Sequence, residues 1–459
     1  MLLPALLAIL EGWLPAFSQS RSGRRAMMQA LGGLMALGRR TLSRSLWALG
    51  RQQQDWSADY RLHARAQWNP QALFRPVIEQ GLPFCKGPFV VVAMDDTRLR
   101  KTGRKILSAF YQRDPLSPKF RFNLMWGLRF FHVSLLLPLY RTWEQAAPRS
   151  VPIRFVEVPA LKRPRRKAAP EDWSAYRRAV KHHNLSQQGV RVIRELRGSL
   201  DQAGGGARVL LAVGDGSFCN RTLFRIELDR TQVLARARKD IRLCYRAAAP
   251  SRSFYSAEKF TPELVRQNED VAWETAAIFH GGQCRQVRFK QVPDVYWQTG
   301  GRKRPLRLLV VAPIPYAGGN GRKKYYRDAA YLLTTDNSAS AEALLQAYFD
   351  RWQIEVNHRE MKDTLGVGQA QVRNCHSVSR QPALAVAAYS ALLLAGVRVF
   401  GPDRGSAFPE LPKWRRKANR PSCLDLVTVL RSELTESNAD LSALVHPLSW
   451  PLLGKAAAA

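Results

Sequence analysis

Phe89-Val90-Val91-Val92-Ala93-Met94 is an uninterrupted, mostly β-branched apolar run that ends in Asp95-Asp96-Thr97. Without polar alternation, such a run is the pattern of a strand covered on both faces of an α/β sheet. The pattern recurs at Arg208 to Val213, again mostly apolar and again closing on an acid, in Gly214-Asp215-Gly216-Ser217. Two buried strands therefore deliver aspartates at their carboxyl ends, where open α/β sheets place their sites. Between them lie two further strand-like stretches, Ile106 to Tyr111 and Phe120 to Leu137, the second broken by Gly127. A basic, Pro-rich linker follows from Pro164 to Pro170, and Asp172 to Leu200 reads as one long amphipathic helix stopped by Gly204-Gly205-Gly206.

Downstream of Asp215 the chain changes character. From Ile241 to Tyr331 it carries short alternating segments, among them Gln286 to Val292 and Leu306 to Val311, separated by Gly281-Gly282, Gly300-Gly301 and Gly318 to Gly321. That is a β-rich module. Tyr331 to Thr335 ends at Asp336-Asn337-Ser338, a helix-start signal, and a helix is expected over roughly Ala339 to Leu365. Wound at about 100° per residue, it would carry Tyr348, Arg351, Glu355 and Lys362 on one narrow face, with His358 and Arg359 bordering it. Phe349, Trp352 and Val356 would form the apolar stripe that seats it on a core. Ion pairs alone would account for a lone carboxylate among cations on a helix. With two strand-end aspartates added, the set has the oxygen ligands that hold paired divalent metals in phosphodiester chemistry.

The spacing Tyr348-x2-Arg351-x3-Glu355-x6-Lys362 resembles the YREK motif of DDE transposases of the insertion-sequence-four superfamily, the group that includes the Tn-five transposase. Asp95-Asp96-Thr97 resembles that group's first-aspartate motif, and Val213-Gly-Asp215-Gly-Ser-Phe218 its second; the likeness runs in order over roughly residues 40–400. It implies an α/β chain with an RNase H-like catalytic core interrupted by a β-rich insertion. It further implies that Asp96, Asp215 and Glu355 hold two Mg²⁺ ions, for which Mn²⁺ can substitute, and that Tyr348, Arg351 and Lys362 grip phosphates of the element end. Arg359 is assigned a supporting role from its helical face. Spacing alone leaves Asp95 and Asp96 both open, since alternation sends them to opposite faces; family alignment favours Asp96. The family's insertion can present a base-stacking tryptophan, for which Trp297 is the candidate, with core packing and Trp273 as competitors.

Charge points the same way. Seventy-one Lys and Arg against 36 Asp and Glu give a net charge of +35 on a chain that is 46% apolar, so it is globular and calls for a polyanionic partner. Basic clusters at Arg24-Arg25, Lys101 to Lys105, Lys162 to Lys167, Arg302 to Arg304, Arg322 to Lys324 and Lys413 to Lys417 are scattered as a long duplex would require. Any single cluster reads equally well as solvated surface. The expected organisation is a helical DNA-binding region at 1–80, first core part at 86–240, insertion at 241–334, second core part with the motif helix at 335–400, and a C-terminal region at 401–459 for dimerisation or DNA contact. Within the first region, Ser22 to Leu37, Leu42 to Arg51 and Ala58 to Gln67 have helical spacing, and a plain helical cap is the alternative to DNA binding.

Six cysteines without a CxxC pair give no sign of a zinc site or disulfide framework. The apolar start lacks a basic n-region, and Ala383 to Val397 falls short of the ~20 residues a bilayer span needs, so a core helix is the better reading. The expected protein is therefore a cytoplasmic, nucleoid-associated, dimer-forming enzyme of cut-and-paste DNA transposition that acts on double-stranded terminal repeats and target DNA. A catalytically silent DNA-binding regulator and an RNase H-like nuclease are the alternatives.

Overall fold

The computed structural model describes residues 1–115, 117–118, 120–138, 148–317, 324–411 and 420–436. The clusters expected at Arg322 to Lys324 and Lys413 to Lys417, the turn Gly318 to Gly321 and the end of the C-terminal region fall wholly or largely outside them.

The N-terminal region is helical, as its periodicity predicts: α1 (Leu2–Glu11), α2 (Ser20–Met35), α3 (Leu42–Ala48), α4 (Ser57–Ala64) and α5 (Arg75–Gly81). The apolar start is a buried core helix whose first N–H groups, Leu2 and Leu3, both donate to the Glu433 carboxylate at 2.7 Å. Glu433 thus answers the orphan donors of a helix start.

The strands β1 (Phe89–Arg100), β2 (Phe110–Arg113), β3 (Leu124–Leu137) and β4 (Arg149–Glu157) form an antiparallel set in which β3 pairs with the other three. Gly127 sits inside β3 rather than breaking it; a Cβ there would meet the Leu99 carbonyl oxygen at 2.5 Å. The single helix expected over 172–200 is two, α6 (Pro170–His182) and α7 (Leu185–Gln202), divided where the Asn184 side chain accepts from the Gln187 N–H and starts a new helix. β5 (Val209–Gly214) then lies parallel to β1, and after the short α8 (Arg221–Phe224), β6 (Thr231–Ala237) lies parallel to β5.

The segment expected as a β-rich insertion does not fold apart from this sheet. Beyond α9 (Pro262–Gln267), β7 (Glu274–His280), β8 (Gln283–Val295) and β9 (Leu306–Val311) make an antiparallel meander. Past the small β10 (Pro315–Ala317) and β11 (Lys324–Tyr326) pair, β12 (Ala330–Thr334) is hydrogen-bonded between β6 and β9. Ten strands therefore form one mixed sheet, ordered β2-β3-β1-β5-β6-β12-β9-β8-β7 with β4 beside β3.

The helix expected over 339–365 is broken into α10 (Ala341–Asp350), α11 (Gln353–Arg359) and a wide π turn, Glu360–Thr364. At the break the backbone tightens: Trp352, Ile354 and Glu355 donate to carbonyls three residues back, at 3.0–3.2 Å. α11 is seated by Ile354, packed with Ala93 and Leu136, and by buried Asn357, not by Trp352, which is exposed. α12 (Ser377–Phe400) is long and apolar enough to cross a bilayer, but it is largely buried within the protein against α1, α2 and β4. α13 (Cys423–Glu436) packs on α1, α2 and α12.

Candidate active site

β1 runs through the acids to Arg100, so Asp95 and Asp96 project from opposite faces. Asp95 is opposite His132 on β3 and lies on the α11 side: its Oδ2 is 3.9 Å from His358 Nδ1. Asp96 is opposite Phe131, and its Oδ2 accepts from Arg129 Nε at 2.7 Å, with Arg98 at 3.9 Å. Pleating turns Asp96, the residue family alignment favours, toward Arg129, and Asp95 is the acid on which the charge of Asp215 acts; both act on Lys362.

Asp215 follows β5, where Gly214 permits the chain to fold onto Phe218; a Cβ at Gly214 would meet the Phe218 Cβ at 2.6 Å. The Asp215 side chain then accepts from the Ser217 N–H at 2.8 Å and caps the short turn Gly216–Phe218. Glu355, on α11, has 38% of its side chain exposed, and its Oε1 is 4.0 Å from Arg351 Nη2. Asp215, Tyr348, Arg351, Trp352 and Glu355 line one open cleft of about 1100 Å³, together with Arg236, Arg238, Lys239 and Arg327 and the acids Asp240, Glu263 and Asp328. The Arg351 guanidinium carbon lies 5.8 Å from the Tyr348 ring centre, and its Nε, buried, has no hydrogen-bond partner among the described residues.

The acids act on one another. Burial, then the charge of Asp215, pushes the Asp95 carboxyl up to about 7, against the opposing pull of the Asp96 N–H and Arg351. Glu355 is raised by burial and by Asp215, while Arg351 pulls it down. His358 is held neutral, pushed down to about 3 by burial and by Lys362. Its Nε2 lies 3.0 Å from His132 Nδ1, and His132 in turn meets Ser134 at 2.9 Å. Burial also lowers Lys362, on the π turn, while Asp363, Asp95 and Asp96 pull it the other way.

Among the described residues, no three His, Cys, Asp or Glu side chains stand close enough to cage a metal ion. In chemistry, however, the trio fits a hard divalent cation. It offers only carboxylate oxygens, which repel one another and share a single nearby guanidinium.

Of the expected DNA-contacting residues, His358, Arg359, Lys362 and Trp297 do not line the cleft. Arg359 is exposed at the end of α11 and is not part of the cleft wall. Trp297 is partly buried: its ring meets Phe224 edge-on at 5.7 Å and lies against Gly300. Trp273 is covered by Arg288 and Lys290 at 5.0 and 4.8 Å from its ring centre. The aromatic that sequence reasoning misplaced is Trp352. The signal was in the chain, since a tryptophan between Arg351 and Gln353 at a helix break need not share the buried stripe.

The protein is thus a mixed α/β chain with a large mixed sheet and an open cleft that holds Asp215 and Glu355, with Asp95 electrostatically coupled to Asp215. No protein-family profile and no curated protein matches the sequence. Seven chains of solved structures match. One is the piggyBac transposase in a synaptic complex with hairpin DNA, at 10% identity and a TM-score of 0.38, the alignment covering 96% of this chain and 76% of that one. The similarity is distant.

Proposed function

We propose that this protein is a DDE transposase of the insertion-sequence-four superfamily, cutting DNA at the ends of a mobile element and joining those ends to target DNA. The reading rests on one observation: the charge of Asp215, just past β5, acts on both Asp95 in β1 and Glu355 on α11, and Arg351 acts on both as well. The core, 86–240 and 335–400, is then RNase H-like, 241–334 is the insertion, and 1–80 is the DNA-binding region. A homodimer on double-stranded DNA holds both ends together.

In this mechanism Asp95, Asp215 and Glu355 are the residues that would hold magnesium. When bound, two such ions activate the attacking oxygen and stabilise the leaving oxygen. Arg351, which lines the cleft beside the Tyr348 ring with its Nη2 4.0 Å from Glu355, would take a phosphate oxygen as DNA enters and so release Glu355 from its guanidinium. His358 stands beside Asp95, its Nδ1 3.9 Å from the carboxylate, and its Nε2 is held by His132, which in turn meets Ser134. Exposed Trp352 and the cleft's Arg236, Arg238, Lys239 and Arg327 would accommodate the duplex.

The test is strand cleavage of a supercoiled plasmid carrying the inverted repeats that border the gene, with Mg²⁺. Glu355→Gln is expected to abolish cleavage and leave end binding intact. Cleavage retained in that variant removes the assignment. Binding without cleavage in the unaltered protein marks it as a silent regulator, and preference for RNA–DNA hybrids marks it as a nuclease.

A further inference from the structure

The β2–β3 hairpin extends past the acids and ends in apolar side chains that stay exposed among the described residues. Phe120 is 93% exposed and Phe122 67%, with Tyr111 and Leu124 also exposed on the flanking strands. Arg113 pairs opposite Leu124 eight residues along β3 from His132, the partner of Asp95. At ~3.4 Å per residue the end of the ladder stands roughly 27 Å from Asp95 along the strand. Exposed phenyl rings at such a tip are costly in water and mark an interaction surface.

Charge decides the occupant. Between Arg100 and Trp126 the sequence contains one carboxylate, Asp114, and Arg100 holds it at 3.1 Å. Basic side chains are interleaved with the rings: the Arg113 guanidinium carbon is 5.7 Å from the Phe122 ring centre, and that of Arg104 is 5.3 Å from Tyr111 and 5.6 Å from Trp126. A second copy of a chain with net charge +35 would be repelled from this tip, whereas a polyanion is attracted. Apolar wedges flanked by arginines are how proteins pry apart stacked base pairs from the minor groove while gripping phosphates.

We infer that the β2–β3 hairpin is a DNA wedge: Phe120 and Phe122 insert at a base step of duplex DNA, and Arg113 and Arg121 hold the adjoining phosphates. The inference rests on the DNA-processing reading and adds a contact well outside the acid trio.

The experiment compares the full chain with Phe120→Ala/Phe122→Ala and with Arg113→Ala/Arg121→Ala on two duplexes, one with deformable TA steps and 2-aminopurine beside them, the other a stiff A-tract. The unaltered protein is expected to prefer the TA duplex and to brighten 2-aminopurine as its neighbours unstack. The Phe double variant is expected to lose on the order of tenfold in affinity for the TA duplex only, with the brightening, and to keep its salt dependence. The Arg pair is expected to reduce the salt slope by about one per residue on both duplexes. Matching melting temperatures establish that the variants fold. Unchanged TA preference and 2-aminopurine signal in the Phe variant overturn the wedge, as does a shift in oligomeric state with DNA binding intact, which would assign the tip to a second copy. Failure of the unaltered protein to bind any DNA overturns the functional reading itself.

Discussion

Replacing Asp95 by Asn is expected to stabilise the metal-free protein, although it removes a residue of the proposed catalytic trio. In the folded protein the carboxyl is raised from 3.8 to about 7, chiefly by burial and then by Asp215. The folded state therefore keeps its proton while the unfolded chain releases it, so stability falls as pH rises through that window and the loss is complete above about pH 7. At ~1.36 kcal/mol per pH unit the penalty approaches ~4 kcal/mol. That figure is an upper bound, because 20% of the side chain remains exposed to screening solvent. Asparagine cannot ionise, and its Oδ1 can still accept from the Asp96 N–H, now 2.8 Å from the carboxylate. Thermal unfolding of chelator-treated protein should show no advantage for Asp95→Asn at about pH 4 and a clear one at about pH 8. Magnesium should stabilise the unaltered protein at the higher pH and leave the variant unmoved. A variant less stable than the parent at about pH 8, or one that gains as much from magnesium, would refute the reasoning.

Asp96→Asn should behave oppositely: loss of the charge-assisted bond to Arg129 should cost ~2 kcal/mol in denaturant melts, while plasmid cleavage persists. Buried Asn357 binds Ser134, Ser150 and Tyr389 at once; Asn357→Leu should cost ~3 kcal/mol or more by stranding them, and should reduce cleavage with Glu355 intact, as measured by single-turnover assays. His63, bonded to Gln29 and pushed down to about 4 by burial and by Arg380, stays neutral in the fold. Stability present above about pH 6.5 should therefore fall by ~3 kcal/mol as pH drops to about 4, and His63→Gln should flatten that segment of the stability profile.

The acids that follow the parallel-paired stretches of β1 and β5 were legible because parallel strands buried on both faces leave long apolar runs. β4 was not, since its run is interrupted by Pro152 and by Arg149 and Arg154, which are buried by donating to the Pro421 carbonyl and the Ser199 hydroxyl. The choice between Asp95 and Asp96 needed the strand's facing, which His132 and Arg129 reveal only across the ladder. The helical wheel for Tyr348 to Lys362 assumed uniform winding. The tight break at Arg351 and the π turn at Glu360 change that winding without a Gly or Pro to announce it.

The hydrogen bonding of β12 between β6 and β9 has a mechanical consequence. A segment stitched into the same sheet as the aspartate-bearing strands cannot swing like a door, because any large excursion would unzip two ladders at once. If the protein acts on duplex DNA as proposed, entry and exit of the duplex fall to the helical flank, with the long intervening segment serving as a fixed abutment.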